Sequence, residues 1–480
     1  MTRSPDHRGR AYRETVTALT TAWVDELTAA LGADSVRTDP DVTAAYARDQ
    51  AVLADAGTPA AVVFPRDTAD VVAVVQLAGR HGIPVVPRGA GSGLVGASNA
   101  VDGGITMVMT RMDAVLEVSA ADRLAVVQPG VVNKTLRDAV AAQGLFYPPD
   151  PASYDWCTLG GNLAMNSGGL CCVKYGVTTD YVLGLEVVLA DGRVLRTGRR
   201  TVKGVAGYDL TRLFVGSEGT LGVITEATLA LRPAPADDPV TLVATFATSA
   251  QTGQVVESVV TSGVVPSMLE VMDRTCIRAV DDLLRADLDR DAQALLVARS
   301  DAGGAAGLAE IAELTRLCEA AGADLVHSTP DPAEGDLLLT ARRMALPALE
   351  RLGSVLLDDV AVPRSRVATF IDGCDAISTQ FDLVIGVMGH AGDGNMHPTI
   401  VFDAGDDEQR ARAVAAFDAI LELGLSLGGT ITGEHGVGTL KAEWLEREAG
   451  PVSLDVQRSI KQALDPAGLL NPGKVLRRRG

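Results

Sequence analysis

The sequence predicts an α+β protein built from more than one domain. Residues 101–232 contain mostly short apolar strands and turns, interrupted by one helix near 133–143, instead of the regular alternation of a βαβ fold. A stretch of Pro, Ala and Asp follows at 232–239, and a second pattern of strands and helices starts after it. A chain of 480 residues also favours two or three domains over one.

The first elements are predicted from apolar spacing and from residues that start or stop helices. Apolar side chains at helical spacing indicate a helix over 14–32, and the run AAVVF at 60–64 indicates a strand. A second helix begins at Asp67 or Thr68, either of which can cap its N-terminus, and Gly82 follows its end.

The later elements follow from apolar runs of strand length and from longer segments of helical spacing. We expect further strands at 83–87, 105–109, 124–130, 183–195, 222–231, 241–246, 294–299, 359–363 and 383–390. We expect further helices near 250–262, 273–287, 304–321 and 407–427, and a C-terminal helix that ends at 465–476.

The charge balance restricts the partners of the protein. A net charge of −19 repels DNA, RNA and anionic lipid, so we expect no nucleic-acid partner. An anionic substrate would need a local basic site for the same reason. The six cysteines lack the paired spacing of zinc sites, and we expect reduced thiols in a cytoplasmic protein.

The sequence also predicts no membrane span. No run reaches the roughly 18 apolar residues that a transmembrane helix needs. The N-terminal segment MTRSPDHRGRAYRE lacks the apolar region of a secretory signal, and we expect it to be a frayed polar tail.

A glycine-rich run follows the strand at 83–87. Gly91, Gly93 and Gly96 match the GxGxxG spacing of dinucleotide-binding folds, but that motif must open a helix, and here a turn and a strand follow. With so few side chains, the backbone N–H groups of this run can still approach a phosphate closely. The alternative is a flexible hairpin loop without a ligand.

Further small-residue segments border apolar strands, as expected for backbone wrapped around one long ligand with polar and flat parts. They are PPDPAS at 148–153, TLGGNLAMNSGG at 158–169 and GSEGTLGVI at 216–224.

Together with PRGAGSGLVGA at 87–97 and the closing NPGKVL, these segments resemble the FAD-binding domain of the vanillyl-alcohol oxidase (PCMH) type. Within that group the chain looks like D-lactate dehydrogenases and the catalytic subunit of glycolate oxidase, over about residues 45–478. Each motif alone is weak, and the set is specific. The resemblance implies an FAD-binding domain, an α+β substrate cap and a helical C-terminal segment.

The resemblance assigns boundaries to these parts. It implies an N-terminal helical segment at 1–55, the FAD-binding domain at 56–235, the cap with a metal motif at 236–430, and a segment at 431–480 that completes the FAD site and the active site.

The resemblance also implies which residues hold FAD. The loop would bind the pyrophosphate through backbone amides and Ser92, and two further groups would line the isoalloxazine and the adenosine. Residues 87–99 contain no His, so we expect the flavin to be bound non-covalently. The loop residues are Arg88, Gly89, Ala90, Gly91, Ser92, Gly93, Leu94 and Gly96, and the other residues are Pro151, Ser153, Gly160, Gly161, Asn162, Ser167, Gly168, Glu218, Gly222 and Ile224.

Three of the six histidines fall in two dense motifs, HAGDGNMH and GEHGVG. His390 and His397 flank a glycine turn, so both imidazoles can face one point. With Glu434 they make two nitrogens and one carboxylate oxygen, a common open metal site. The alternative is that glycine-flanked histidines cap a turn. Zinc, manganese and iron all suit this ligand set.

The family resemblance implies the same metal ligands and adds their chemistry. His390, His397 and Glu434 would bind a divalent ion that lowers the pKa of the substrate hydroxyl. His435 would be the general base, Asn395 would orient the substrate, and a hydride would pass from the substrate Cα to flavin N5.

An anion site is predicted at Arg342. Arg342 and Arg343 are compatible with a surface pair on a helix, but relatives place a carboxylate-binding arginine at the position of Arg342. Relatives that oxidise D-2-hydroxyglutarate carry a lysine and a threonine where this chain has Leu357 and Leu346. Because an unpaired second carboxylate is costly to bury, we expect a monocarboxylate such as D-lactate, glycolate or 2-hydroxybutyrate.

The sequence therefore predicts an FAD-linked D-2-hydroxy acid dehydrogenase. The alternatives are a non-catalytic FAD subunit of a glycolate oxidase, a D-2-hydroxyglutarate dehydrogenase, an alcohol oxidase and a metal-dependent hydrolase. The electron acceptor stays open between a quinone, a cytochrome, an electron-transfer flavoprotein and oxygen, and relatives lead us to expect a homodimer.

Overall fold

A computed structural model of the protein describes residues 22–235 and 237–477. The predicted N-terminal tail and residues 14–21 of the first predicted helix lie outside the described residues. The described part of that helix, α1, spans 22–31 and buries the predicted apolar residues Trp23, Leu27 and Leu31.

The first half of the chain contains two sheets and a small two-stranded ribbon. Its strands are β1 (Val36–Arg37), β2 (Ala61–Val63), β3 (Val85–Arg88), β4 (Ile105–Val108), β5 (Val115–Ser119), β6 (Leu124–Val127), β7 (Leu145–Phe146), β8 (Val182–Val188), β9 (Val194–Gly198), β10 (Val223–Ala230) and β11 (Arg232–Pro233). Its further helices are α2 (Pro40–Ala45), α3 (Thr68–His81), α4 (Asn133–Ala141), α5 (Leu159–Met165), α6 (Cys172–Tyr175) and α7 (Leu210–Phe214).

The two sheets pack through apolar strands and are covered by helices. The four-stranded sheet has the order β1-β2-β4-β3, and the five-stranded antiparallel sheet has the order β5-β6-β10-β8-β9. Helix α3 lies between them and is capped as predicted, with Asp67 accepting from the N–H of Asp70. The sequence prediction at 183–195 corresponds to the hairpin of β8 and β9.

One expectation for this half was wrong. Between 101 and 232 the structure has α5, α6 and α7 in addition to the predicted α4. Glycines disfavour helices, so the glycine-rich segment before Met165 gave no helical signal. Tertiary packing favours the helix α5 at this place. Gly160 packs so closely against Pro129 that a Cβ at Gly160 would lie 2.6 Å from the Cβ of Pro129.

The second half is one eight-stranded sheet between two layers of helices. Its strands are β12 (Val240–Phe246), β13 (Met268–Asp273), β14 (Ala294–Ser300), β15 (Leu325–Thr329), β16 (Ser354–Leu357), β17 (Val360–Ala361), β18 (Val384–His390) and β19 (Asn395–Phe402). Its helices are α8 (Ser249–Ser262), α9 (Arg274–Leu284), α10 (Gly304–Ala320), α11 (Pro332–Arg343), α12 (Ala345–Glu350), α13 (Val367–Phe381), α14 (Asp407–Ser426) and α15 (Ala442–Leu464).

The two faces of this sheet bury different helices. Helices α8, α10, α13 and α14 pack on one face in the largest apolar cluster of the described residues, and α9, α11 and α12 pack on the other. The strand order is β15-β12-β14-β13-β18-β19-β16, which places the β18–β19 hairpin between the central strand β13 and the edge strand β16. Within the described residues no helix combines the length and the apolar character needed to cross a membrane.

The C-terminal segment returns to the first half of the chain. Leu470 pairs in parallel with Val85 of β3, and Asn471 donates to two buried carbonyls, that of Ala97 at 2.8 Å and that of Glu218 at 2.7 Å. This segment therefore fastens the glycine-rich loop and the turn at Glu218 to each other.

Replacing Asn471 by Ala should destabilise the protein by about 1–3 kcal/mol, because two buried carbonyls lose their donor. Urea denaturation measures the free energy of unfolding. The control is Gln462→Ala, since Gln462 is exposed and donates to Pro466 at 3.3 Å. Equal stability of the two variants would show that the hydrogen bonds of Asn471 do not hold the C-terminal segment in place.

Candidate active site and metal centre

The β18–β19 hairpin brings the two motif histidines together. His390 pairs with Asn395 and Met388 pairs with His397 across the hairpin. Because cross-strand partners share a face and alternate residues do too, His390, Asn395 and His397 lie on one face of the sheet. The two imidazole centroids are 5.0 Å apart.

Glu434 approaches both histidines from the loop between α14 and α15. Its Oε1 lies 3.4 Å from Nε2 of His390 and 3.3 Å from Nε2 of His397. Their candidate ligand atoms all lie within 4.8 Å of one another, so these three residues could hold a metal ion. Although burial opposes ionisation, hydrogen bonds with His390 and His397 hold the pKa of Glu434 well below its ordinary value.

One carboxylate oxygen holds the loop that carries Glu434. Oδ2 of Asp359 accepts from the hydroxyl of Thr432 at 2.6 Å and from the backbone N–H groups of Gly433, Glu434 and His435 at 2.9, 2.9 and 2.8 Å. Successive N–H groups that converge on one anion form a rigid nest. Asp359 was missed as a functional residue, although its motif DVAVP was noticed.

A buried lysine completes this support. Lys441 is 1% exposed, and its Nζ lies 2.7 Å from Oδ1 of Asp358. It also donates to the carbonyls of Asp359 at 2.7 Å and Ile431 at 2.6 Å. The lysine therefore ties the strand segment before β17 to the start of the loop.

His435 lies against the metal cluster. Its ring stacks on that of His397 with centroids 5.0 Å apart and planes 11° apart, and its Nε2 is 3.7 Å from Oε1 of Glu434. Burial lowers the pKa of His435 to about 4, against the opposing effect of Asp359. The imidazole is therefore neutral near pH 7 and able to accept a proton.

Arg342 meets the same cluster through a residue that the sequence analysis missed. Its guanidinium lies 2.9 Å from Oε2 of Glu270, and Oε1 of Glu270 lies 2.7 Å from Nδ1 of His390. Glu270 is fully buried in β13 and Arg342 is 7% exposed, whereas Arg343 is exposed. A charged residue inside the apolar run SMLEVMD was the available signal.

Several buried polar atoms at this place have no hydrogen-bond partner among the described residues. They are Nε of Arg342, Oε2 of Glu270, Oδ1 of Asn395, Nδ1 of His397, Oδ2 of Asp358 and Oδ1 of Asp359. Buried polar atoms are normally paired, so a cluster of such unpaired atoms suits a small polar ligand.

The glycine-rich loop after β3 has the free donors that a phosphate needs. The N–H groups of residues 90–94, which include Ser92, find no acceptor in the described part of the chain, although this loop is buried or half-buried. Gly89 packs so tightly that a Cβ would lie 2.2 Å from Oγ1 of Thr158, itself a buried atom without a partner. This backbone fits a pyrophosphate.

Two predicted flavin contacts have other partners in the structure. The side chain of Asn162 accepts from Asn133 at 3.1 Å, and the carboxylate of Glu218 accepts from the N–H groups of Val437 at 2.7 Å and Gly438 at 2.8 Å. Glu218 therefore joins the glycine-rich half of the chain to the GEHGVG loop, a role that we had not expected.

The other predicted flavin residues also lie in the first half of the chain, at the end of β3 and in the loop after it, before and within α5, between α5 and α6, and at the start of β10. Of these, Ile224 is part of the apolar core. The remaining ones are Arg88, Gly96, Pro151, Ser153, Gly161, Ser167 and Gly222.

Gly168 brings the predicted flavin segments to the histidine cluster. A Cβ at this position would lie 2.4 Å from Oε2 of Glu434. Only glycine permits this approach, so the two sites that were predicted separately adjoin each other.

Two parts of the chain match known protein families. Residues 59–198 match the family described as FAD binding domain, and residues 236–475 match the family described as FAD linked oxidases, C-terminal domain.

The chain is similar in sequence to proteins of related name. It is 41% identical to the glycolate oxidase subunit GlcD of Bacillus subtilis, over 87% of this chain and 89% of the relative. It is 33% identical to a D-lactate dehydrogenase of Anaerostipes hadrus, over 90% of this chain and 92% of the relative.

Solved structures confirm the predicted fold. p-Cresol methylhydroxylase superposes with a TM-score of 0.78 at 18% identity, covering 96% of this chain and 97% of that one. A 4-ethylphenol oxidase from Gulosibacter chungangensis gives 0.77 at 21% identity with the same coverage.

Replacing Lys441 by Met should destabilise the protein by about 3–5 kcal/mol, because Asp358 becomes a buried charge without its partner. Chemical denaturation measures the loss. The control Lys134→Met removes an exposed ion pair with Asp138 and should leave stability nearly unchanged. Similar effects of the two changes would contradict the structural importance of Lys441.

The pH dependence of protein stability should show the raised pKa of Glu218. Burial raises its pKa from 4.5 to about 7, so the folded protein holds this proton more tightly than the unfolded chain. Its stabilising contribution is complete below about pH 4.5 and is lost as the pH rises through 7, by up to about 1.4 kcal/mol per pH unit. Urea denaturation at pH 5 and pH 8 should show a smaller loss for Glu218→Gln than for the unchanged protein. An identical loss in both proteins would contradict this assignment.

Proposed function

Because the chain belongs to the family of FAD-linked oxidases, we propose that it oxidises a small D-2-hydroxy acid, D-lactate or glycolate, to the 2-keto acid. The observation that carries this proposal is one cluster of a neutral histidine, a three-residue metal-ligand set and a buried arginine beside the FAD-binding segments.

The residues of the chain fit both groups that this reaction needs. When bound, FAD accepts the hydride from the substrate and a divalent ion favours ionisation of the substrate hydroxyl. The N–H groups of residues 90–94 would hold the phosphates, and His390, His397 and Glu434 would hold the ion. Residues 87–99 contain no His that could link to flavin, which supports non-covalent binding.

The charges around the cluster support a cation there. Among the described residues, four carboxylates, from Glu270, Asp358, Asp359 and Glu434, meet two permanent cations, Arg342 and Lys441. A low-dielectric site holds uncompensated charge at a high energetic cost. A divalent ion would balance this group of six side chains.

His435 is the proposed general base. Its low pKa keeps the imidazole neutral, and its backbone N–H is fixed by Asp359, so the ring holds one position against His397. It would take the hydroxyl proton while the hydride leaves the substrate Cα, which converts the alcohol carbon to a carbonyl. Asn395, with its free buried oxygen, would orient the substrate.

Arg342 would bind the substrate carboxylate through the guanidinium N–H groups that Glu270 does not occupy, among them the unpaired Nε. Leu357 pairs with Thr399 on β19 and so shares the sheet face of His397. This apolar side chain, with Leu346 on α12, leaves no partner for a second carboxylate. We therefore favour a monocarboxylate over D-2-hydroxyglutarate.

The names of the relatives support two substrates, and one of them names a subunit of a larger enzyme. One relative is a D-lactate dehydrogenase, and another is a subunit of a glycolate oxidase. We propose D-lactate or glycolate as the substrate, and a quinone, a cytochrome or an electron-transfer flavoprotein as the acceptor of the electrons. In a multi-subunit oxidase this chain would be the catalytic subunit, because it keeps the complete cluster.

D-lactate or glycolate should bleach the flavin absorbance of the purified protein under anaerobic conditions, and L-lactate and D-2-hydroxyglutarate should not. His435→Ala should slow the bleaching about 10²–10⁴-fold, because the proton acceptor is lost. The control His327→Ala changes an exposed histidine that pairs with Glu334 and should bleach at the normal rate.

The outcomes separate the parts of this proposal. A flavin band that none of the four acids bleaches would contradict the substrate class. Normal bleaching in His435→Ala would contradict the role of the base, and the absence of flavin after reconstitution with FAD would contradict the FAD site.

Removal of the metal should stop the reaction and leave the flavin in place. After dialysis against a chelator, the bleaching rate should fall at least about tenfold and return with zinc, manganese or iron. His397→Ala should show no recovery, since it lacks one ligand. Full activity in protein shown by elemental analysis to be free of metal would contradict a catalytic ion.

A further inference from the structure

We propose that Glu270 is a positioning residue shared by the metal site and the substrate-anion site. This inference rests on the function proposed above and adds to it a residue that couples the two sites. Glu270 lies in the central strand β13 and is fully buried, so its two oxygens can meet only protein groups.

Each oxygen of Glu270 serves a different site. Oε1 lies 2.7 Å from Nδ1 of His390, and Oε2 lies 2.9 Å from the guanidinium of Arg342. Glu270 and His390 are direct partners in the ladder of β13 and β18, so backbone pairing fixes their separation. Arg342 reaches the same carboxylate from the last turn of α11.

The contact with His390 determines which nitrogen is free for a metal. A carboxylate at Nδ1 keeps the proton on that nitrogen, so the lone pair is on Nε2. Nε2 is the atom that faces Glu434, at 3.4 Å. Glu270 therefore prepares His390 as a ligand without touching the ion.

The contact with Arg342 determines the direction of the guanidinium. Nη2 of Arg342 lies 2.9 Å from Oε2 of Glu270 as an ion pair without hydrogen-bond geometry, and Nε finds no partner within the described residues. The ion pair at Nη2 restrains the plane of the guanidinium, so its remaining N–H groups can meet a substrate carboxylate in a fixed orientation.

The two contacts depend on each other through charge. A fully buried carboxylate without counter-charge is strongly unfavourable, so Glu270 needs Arg342 as much as Arg342 needs its anchor. A glutamine at this position has one accepting oxygen and one NH2 group and no negative charge. It could therefore accept from His390 or Arg342, but it would leave the other without an acceptor and Arg342 without a counter-charge. Both sites should therefore weaken when only this side chain changes.

The test is Glu270→Gln in the FAD-loaded protein, with two separate measurements. Zinc affinity is measured by calorimetry after chelator treatment, and the D-lactate concentration for half-maximal flavin bleaching is measured in the presence of zinc. We expect zinc affinity to fall about 10–100-fold and the half-saturating D-lactate concentration to rise at least about tenfold. A change in only one quantity, or in neither, would overturn the shared role.

The matched control is Asp273→Asn, on the same strand. Asp273 is also a buried carboxylate, but it accepts hydrogen bonds from the backbone N–H groups of Cys276 at 2.8 Å and Val387 at 2.7 Å instead of pairing with His390 or Arg342. It should lower stability without changing zinc affinity or half-saturation. Equal changes in the control would assign the effect of Glu270→Gln to general destabilisation and so overturn the proposal.

A second variant tests the proposal if the Glu270→Gln protein does not fold. Glu270→Asp keeps the charge, but its shorter side chain can reach only one of the two partners, so at least one of the two affinities should fall. Unchanged values for both would overturn the proposal. If the unchanged protein binds no zinc, manganese or iron and neither D-lactate nor glycolate bleaches its flavin, the proposed function itself fails, whatever Glu270 does.

Discussion

The carboxylate of Asp359 accepts four hydrogen bonds from the loop that carries Glu434 and His435, and the active-site geometry depends on it. A glycine-rich loop has many conformations of its own, and ordering it costs entropy. One buried anion that binds three successive N–H groups removes that freedom. Lys441 then balances the negative charge beside it and ties the loop to the sheet. A candidate metal ligand and a candidate base are thereby fixed by one interaction.

The rest of the site is fixed by strand pairing. His390, Asn395 and His397 share a sheet face because of the hairpin register, and Glu270 joins them from the neighbouring strand. Paired strands hold their side chains at fixed separations, so these residues form a rigid wall of the candidate site. The FAD-binding half then approaches this wall at Gly168, where the absence of a side chain lets backbone reach Glu434.

Much of the fold and part of the site could be predicted from sequence. The apolar periodicity gave α3 with its cap, the hairpin strand β18 and the long helix α14, because local spacing reports local structure. The short helix α5 was missed, since its glycines oppose a helix and only packing against Pro129 imposes it. Glu270 and Asp359 were missed as well, because each lies more than 70 residues from a partner that gives it a role.

The sequence by itself determined the family, the cofactor and the chemical types of the site residues. Those properties reside in short motifs whose residues are neighbours along the chain, such as HAGDGNMH and GEHGVG. Only the tertiary structure decided which of these residues meet. In the folded chain, Arg342 pairs with the buried carboxylate of Glu270, and Gly168 lies beside Glu434 of the GEHGVG loop. Glu218, which was predicted on the adenosine side of FAD, instead accepts hydrogen bonds from the GEHGVG loop. The physical reason is that burial and charge pairing act between residues that are distant in sequence, and local patterns carry no information on them.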